Sequence, residues 1–196
     1  MLTTLPAVCT ETRHGRRRLL HRPYGALRVV HAAELGGALT ASFRGGIELD
    51  PFTHSVANEI VQARHIITEQ DNALIADWPK VETMFANPPY ALGLIGKCCR
   101  RITQEYHAGT YQRAVIMVNN ATETEWFHEL LSISTMLCLP AKRINFLNHH
   151  RELTIQRNSR GQVIFGVGIE EARFDAAFRE VGAILKNSPK TRAKLV

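Results

Sequence analysis

The sequence predicts an α/β fold in which a mostly parallel sheet carries helices on both faces. Strand-like and helix-like segments alternate along most of the 196 residues, starting near Ile47. The run RAVIMVN at 113–119 is apolar and rich in β-branched residues, which is typical of a strand buried on both faces. A polar loop separates the last two predicted strands, and we expect these two strands to form an antiparallel pair.

The first predicted strand and helix lie on either side of a turn at Asp50 and Pro51. The segment GGIELDPF at 45–52 has the composition of a short strand that ends at this pair. Apolar residues then recur at helical spacing over 55–66, and Ser55 stands at the position of a helix cap. We therefore predict a helix over 55–66.

The middle of the sequence predicts a second strand and an amphipathic helix. The strand covers VETMFA at 81–86 and stops at Asn87. The helix covers 93–109 and ends near Gly109, a residue that often terminates helices. Its apolar stripe is spaced by fours and consists of Leu94, Cys98, Ile102 and Tyr106.

After the strand at 113–119, a helix is predicted over 122–137. Thr122 and Glu125 have the spacing of a capping box at its start. The remaining predicted elements are a strand at 143–147, a polar loop, a strand at 162–168 and a last helix from about 170 to 186.

The positive charge is concentrated at the start of the chain. The formal net charge is +6, and residues 1–31 contain six arginines and one acidic residue, Glu11, which leaves +1 for the remainder. We expect residues 1–40 to be a basic, poorly ordered segment, because they lack a clear helical or strand period. Such a segment either binds the phosphates of a nucleic acid or has no role, and the sequence leaves both open.

Composition indicates a cytoplasmic protein. Hydrophobic residues make up 45% and charged residues 21%, as in globular proteins, and no apolar run approaches the roughly 20 residues that span a bilayer. No secretory signal is evident. The four cysteines show no C-x-x-C spacing, so we expect reduced thiols.

The stretch FANPPY at 85–90 contains the strongest candidate site. Ligands of such sheets bind beyond the carboxyl ends of the strands, and both Asp50-Pro51 and Asn87-Pro88-Pro89-Tyr90 follow predicted strands. The alternative is a rigid turn between a strand and a helix. We favour a site, because a plain turn does not require an amide before two prolines and an aromatic ring after them.

These four residues suit the activation of an exocyclic amine on a nucleobase. The side-chain oxygen of Asn87 and the backbone carbonyl of Pro88 are two acceptors for the amine hydrogens, which raises electron density on nitrogen. Tyr90 offers a ring on which a flipped base stacks. The electrophile would be a sulfonium methyl group, so the reaction is a direct displacement without a metal.

Other candidate residues are weaker. HELLS at 128–132 lacks the second histidine of a zinc-protease helix, and His149 and His150 are adjacent, which is poor spacing for one metal. We therefore predict no metal site. Three cations in the polar loop either contact DNA or are solvated, namely Arg151, Arg157 and Arg160.

Several motifs occur in the order that is found in a known family. They are IELDPFTHS, the DW pair, FANPPY, RAVIMV, TEWFHELL, RINFL and QVIFGVGIEEARFDAAF. In this respect the chain resembles the phage-type DNA N-6-adenine methyltransferases, the Dam-like group. The resemblance runs from about Ile47 to Gly182 and does not extend into residues 1–40.

The resemblance implies a Rossmann-like methyltransferase that uses S-adenosylmethionine and acts on adenine in DNA. Residues Asn87, Pro88, Pro89 and Tyr90 match the catalytic motif. The candidates for cofactor contact are Asp50, Pro51, Asp77 and Trp78.

The implied organisation is a catalytic domain at 41–188 between the basic segment and a basic tail at 189–196. The implied setting is the cytoplasm of a bacterial host cell, or a prophage gene, with DNA as partner and neither a membrane nor an obligate protein partner. Three alternatives remain: methylation of RNA adenine, methylation of a protein glutamine, and a weakly active DNA-binding relative.

Overall fold

A seven-stranded mixed sheet forms the centre of the protein in the computed structural model, which describes residues 32–144 and 160–189. Its strands are β1 (Leu49–Asp50), β2 (His65–Ile66), β3 (Thr83–Ala86), β4 (Arg113–Asn119), β5 (Met136–Pro140), β6 (Gln162–Val167) and β7 (Gly182–Lys186). Across the sheet they follow the order β2-β1-β3-β4-β6-β5-β7.

The sheet has a parallel part and an antiparallel part. Strands β2, β1, β3 and β4 are parallel to their neighbours in that part, whereas the pairs β4–β6, β6–β5 and β5–β7 are antiparallel. A parallel core followed by antiparallel C-terminal strands confirms the predicted α/β fold class.

Helices cover both faces of the sheet, as predicted. They are α1 (Ala32–Ser42), α2 (Ser55–Val61), α3 (Ile95–His107), α4 (Glu125–Ile133) and α5 (Glu171–Phe178). Strand β4 divides its side chains between two cores with the period of two that a strand imposes. Ala114, Ile116 and Val118 belong to the core that contains α3 and α4, and Val115 and Met117 to the core that contains α1 and α5.

Helix α2 is shorter than predicted, and its cap is His54 and not Ser55. The Ala57 amide donates to Nδ1 of His54, and the helix ends at Gln62, which has a φ of 55°. The side chain of Asn58 bonds both the amide and the carbonyl of Ala63, which holds the chain after the helix end. The last two residues of the predicted helix, His65 and Ile66, form β2.

The helix predicted over 122–137 was wrong at both ends. It starts at Glu125, because residues 122–123 form a turn and the Thr124 hydroxyl donates to the Ala121 carbonyl. It ends at Ile133, and β5 begins three residues later. Arg143 and Ile144 are not in a strand, and residues 145–147 lie outside the described part.

The segment predicted as one last helix, from about 170 to 186, forms a helix and then a strand in the structure. Helix α5 ends at Phe178, and residues 182–186 form β7 at the edge of the sheet. Gly182 permits this pairing, since a Cβ there would lie 2.0 Å from the Leu139 carbonyl oxygen of β5.

Helix α1 crosses the predicted domain boundary between residues 40 and 41. Leu39 in the helix and Phe43 just after it are buried against the sheet. The folded part that the structure describes therefore begins before residue 41. The division of the chain into three regions stays a prediction.

Candidate active site

The carboxyl ends of β1 and β3 lie next to each other at the point where the strand order changes direction. From β1 the chain proceeds to β2 on one side, and β3 then lies on the other side. The register pairs Leu49 with Met84, so Asp50 lies one residue and Asn87 three residues beyond that pair, both toward the carboxyl ends. In open α/β sheets this crevice is the usual position of a ligand.

The NPPY segment continues directly from the end of β3. Pro88 is buried, whereas Asn87, Pro89 and Tyr90 are half-buried. The Tyr90 hydroxyl lies 3.0 Å from Oδ1 of Asn87 and 3.2 Å from the carbonyl oxygen of Met117 in β4. The first and last residues of the segment are thus in contact, and Tyr90 ties both to the neighbouring strand.

Asp50 is a buried carboxyl group, with only 2% of its surface exposed. Burial raises the pKa of Asp50 to about 7, and the hydrogen bonds from the Phe52 amide and from Thr53 oppose this shift. The Phe52 amide donates to Oδ1 over 3.2 Å, which closes a tight turn around the buried Pro51. Asp50 therefore has a structural role beside the cofactor contact that was predicted for it.

Trp78 lies against the same turn. Its ring meets Phe52 edge to face, with 5.9 Å between the centroids and 79° between the planes, and its indole N–H donates to the Ala73 carbonyl over 3.0 Å. The preceding residue, Asp77, is exposed. The four residues predicted to contact the cofactor thus lie on two loops that are joined through Phe52 and Trp78.

A family model described as DNA N-6-adenine-methyltransferase (Dam) matches residues 33–177. The chain belongs to this family. No curated protein sequence matches the chain at a significant level. The sequence-based assignment to the Dam family is confirmed, but the match begins at residue 33, so our expectation that residues 1–40 lie wholly outside it was wrong.

Arg101 is a residue beside this candidate site that the sequence did not reveal. From α3 its guanidinium donates to the carbonyls of Leu74 over 3.3 Å and Ala76 over 3.0 Å, and it lies 5.7 Å from the centre of the Trp78 ring. An ion pair of 2.7 Å with Glu105 orients it. Arg101 therefore holds the loop that carries Asp77 and Trp78 against α3.

A second missed group lies at the carboxyl end of β4. Asn119 and Gln162 are buried, and the Gln162 amide donates to Oδ1 of Asn119 over 3.2 Å. Asn119 is the last residue of β4, and Asn87 follows the last residue of β3. In the register of the two strands, Asn119 lies two residues beyond the level of Asn87. The criterion that singled out Asn87, an asparagine at a strand end, would also have found Asn119.

Of the three arginines predicted to contact DNA, the structure describes Arg160 alone. Arg160 is exposed and precedes Gly161, whose carbonyl accepts from the Asn120 amide over 2.8 Å. It therefore lies at the same edge of the sheet as the NPPY segment. Arg151, Arg157, His149 and His150 fall outside the described residues.

Neither a membrane span nor a metal cluster occurs in the described ranges, 32–144 and 160–189. Within them, no helix has the length and apolar character required to cross a bilayer. In the same ranges, His, Cys, Asp and Glu side chains do not come together in groups of three or more that could hold a metal ion.

Proposed function

We propose that this Dam-family protein transfers a methyl group from S-adenosylmethionine to the 6-amino group of adenine in DNA, with the base flipped into the NPPY site. One observation carries the proposal. The Asn87–Tyr90 segment stands at the carboxyl end of β3, beside the switch point of the sheet, in a chain whose family acts on DNA adenine.

The residues beside β1 have the chemistry that S-adenosylmethionine requires. The cofactor has an ammonium group, ribose hydroxyls and an adenine ring, which call for acceptors and for flat apolar walls. Asp50 and Asp77 supply carboxyl oxygens, and Trp78 and the turn at Pro51 supply apolar surface. When bound, the cofactor supplies an electrophilic methyl group on a sulfonium.

Asn87 and Pro88 would activate the amine of the target base. The lone pair of the adenine amine is delocalised into the ring, which makes it a weak nucleophile. Two acceptors directed at its hydrogens, the Asn87 amide oxygen and the Pro88 carbonyl, favour a localised lone pair. Such positioned dipoles lower the barrier most in a site from which water is excluded, and the burial of Pro88 supports that condition.

The target adenine has to leave the duplex to reach these acceptors. Flipping costs a few kcal/mol, and stacking on an aromatic ring offsets roughly 1–3 kcal/mol of that cost. The half-buried ring of Tyr90 is suited to that stacking. Tyr90 thus captures the base, and Asn87 and Pro88 orient its amine.

The DNA backbone would be held by basic side chains. Arg160 is exposed at the edge of the sheet that carries the site, and Arg151 and Arg157 precede it in sequence. We include the basic residues 1–31 as a second, sequence-independent contact to phosphates. The catalytic domain then begins before residue 41, with α1, and ends at residue 188, and 189–196 is a basic tail.

Methylation of duplex DNA followed by nucleoside analysis tests the proposal. The purified protein and labelled S-adenosylmethionine are incubated in three parallel reactions, which contain duplex DNA, RNA or a glutamine-containing protein. We expect N6-methyladenine from DNA alone. Label in RNA or in protein, or label on cytosine in DNA, would overturn the proposed function. Asn87→Ala serves as control for a contaminating host methyltransferase.

A further inference from the structure

Leu92 is a fully exposed leucine that follows the NPPY segment by two residues. Its relative exposure is 103%, the highest among the large apolar side chains of the described residues, and Ile75 comes next at 77%. A single exposed leucine is common on protein surfaces and by itself indicates no function. The position of Leu92 makes its exposure informative, because the neighbouring Tyr90 is the residue on which we expect the flipped base to stack.

A tight turn holds Leu92 at its apex. The Ala91 carbonyl accepts from the Leu94 amide over 3.0 Å and from the Ile95 amide over 3.3 Å. Gly93 has a φ of 78°, the left-handed conformation that the third position of a type II turn requires and that glycine adopts without strain. The backbone therefore fixes the direction in which the Leu92 side chain leaves the surface.

The turn is anchored on both sides and lies within reach of the site. Tyr90 precedes it and Leu94 follows it, and both pack against the core that contains α3 and α4, whereas residues 91–93 are exposed. The Cα atoms of Tyr90 and Leu92 are at most about 7 Å apart, the span of two extended residues. An apolar tip on an anchored turn loses little conformational entropy when it enters a partner.

The chain around the turn is suited to a polyanion. No acidic residue occurs between Glu82 and Glu105, and Lys97, close after the turn at the start of α3, is exposed. A phosphate backbone near the turn therefore meets a cation and no carboxylate from this stretch of the chain. The partner that combines phosphates on its outside with apolar base faces inside is a DNA duplex.

We propose that Leu92 is a wedge that enters the space left in the duplex when the target adenine flips onto Tyr90. DNA-distorting proteins insert leucine and other apolar side chains between base pairs in this way. The faces of the neighbouring base pairs are apolar, so Leu92 leaves water for a surface that suits it. This role rests on the proposed function and adds to it the residue that stabilises the opened duplex.

A comparison of duplex with single-stranded DNA tests the wedge, because a single strand has no base-pair stack to fill. One circular DNA in its two forms serves as the probe. Leu92→Ala removes most of the apolar surface of the wedge, and we expect kcat/KM on the duplex to fall about tenfold. On the single strand the fall should be less than about twofold. The melting temperature should be unchanged, since Leu92 is fully exposed.

Two further variants serve as controls. Leu92→Met keeps the apolar bulk and should stay within about twofold of the parent on both forms of DNA. Leu185→Ala is the matched control, because Leu185 is a leucine of the edge strand β7 with 42% exposure, and it should leave the ratio of the two rates unchanged.

Three results would overturn the wedge and leave adenine methylation standing. The first is a Leu92→Ala protein that methylates duplex DNA at the parent rate. The second is an equal fall on the duplex and on the single strand, since the role of Leu92 would then be unrelated to the duplex. The third is a parent protein that methylates adenine in single-stranded DNA alone.

A fluorescence measurement that needs no methyl transfer separates the wedge from the proposed function. 2-Aminopurine, which fluoresces more strongly outside the base stack, replaces adenine throughout one strand of a duplex of mixed sequence. The parent and Leu185→Ala should raise the fluorescence, and Leu92→Ala should raise it several-fold less. No rise with the parent, or the same rise with Leu92→Ala, would overturn the wedge. The expected pattern without N6-methyladenine in the methylation assay would overturn the proposed function alone.

Discussion

The rings of Trp78 and Phe52 meet edge to face with 5.9 Å between their centroids, and this contact joins the turn after β1 to the loop before β3. From α3, Arg101 bonds two carbonyls of that loop. The aromatic contact and Arg101 therefore both help to fix the relative position of the candidate cofactor residues.

Removing the Arg101 guanidinium should weaken cofactor binding indirectly, because Arg101 holds the loop that carries Asp77 and Trp78. Arg101→Met keeps much of the length of the side chain but loses the bonds to Leu74 and Ala76. We expect the Kd for S-adenosylmethionine, measured by calorimetry, to rise about tenfold, with turnover at saturating cofactor preserved. Arg100→Met is the control, since Arg100 is exposed and pairs with Glu129 away from this loop. Equal effects of the two changes would contradict the role.

Asp77→Ala should lower cofactor affinity without loss of stability, because Asp77 is exposed. A hydrogen bond to a charged acceptor is worth roughly 1.5–3 kcal/mol, which corresponds to about a ten- to hundredfold change in Kd. Calorimetry and a thermal melt of the same sample measure both quantities. An unchanged binding isotherm would show that the cofactor does not contact Asp77.

Asp50 should make stability depend on pH in the sense opposite to most carboxyl groups. Its folded pKa, about 7, exceeds its ordinary value of 3.8, so the folded state holds the proton more tightly. The contribution of Asp50 to the free energy of unfolding is complete below about pH 4 and disappears as the pH rises to about 7. Its full size is at most roughly 4 kcal/mol. Asp50→Asn keeps an acceptor for the Phe52 amide and should remove this decline.

Urea unfolding of the parent and of Asp50→Asn at about pH 5 and about pH 8 checks the sign. The parent should lose stability relative to the variant between these values. Asp71→Asn is a useful control, because hydrogen bonds from Thr68 lower the pKa of Asp71 and its contribution is lost only as pH falls. Parallel profiles for the parent and Asp50→Asn would show that Asp50 is ionised in the fold.

Asn87→Ala should reduce turnover while cofactor binding survives. It removes one of the two acceptors that act on the amine, and loss of a positioned hydrogen bond in a dry site costs about two to four orders of magnitude in rate. Tyr90→Ala should instead weaken capture of the flipped base, so that KM for DNA rises. An Asn87→Ala protein that methylates at the parent rate would disprove the mechanism.

Deleting residues 1–31 tests the basic segment, since it removes +5 of the net charge. If the segment lies on phosphates, affinity should fall for all DNA sequences alike, and the plot of log affinity against log salt should become less steep. Binding titrations at several salt concentrations measure the slope. The same slope with and without the segment would show that it makes no contact with DNA.

Much of the central fold was predictable because its signals are local. The strand at 113–119 was predicted with the bounds that the structure gives to β4, and Asn87 does follow a strand. The segment after Ile133 was not predictable in this way, since a short apolar run fits a helix or a buried strand equally well. This segment is a strand because it pairs with β6 and β7, and the periodicity of a sequence contains no information about which strands pair.

The site was predictable only in part for a related reason. The NPPY residues are consecutive, so sequence alone could group them. The contacts of Tyr90 with Met117 and of Arg101 with Leu74 each join residues that are 27 positions apart. Neither Arg101 nor Met117 belongs to a motif, and the Met117 contribution is a backbone atom, which any residue type would provide.

The direction of β7 determines where a fused protein would leave the molecule. Three successive antiparallel pairings make β7 run opposite to β4, so its carboxyl end lies at the edge of the sheet remote from the NPPY segment. Asn187 anchors that end to the carbonyls of Leu131 and Ser134. A DNA-targeting module joined directly to residue 189 would thus start on the side of the domain opposite the NPPY segment. A flexible linker of roughly 30 residues would be needed to span the domain, about 30 Å across, and deliver the chosen site to the cleft.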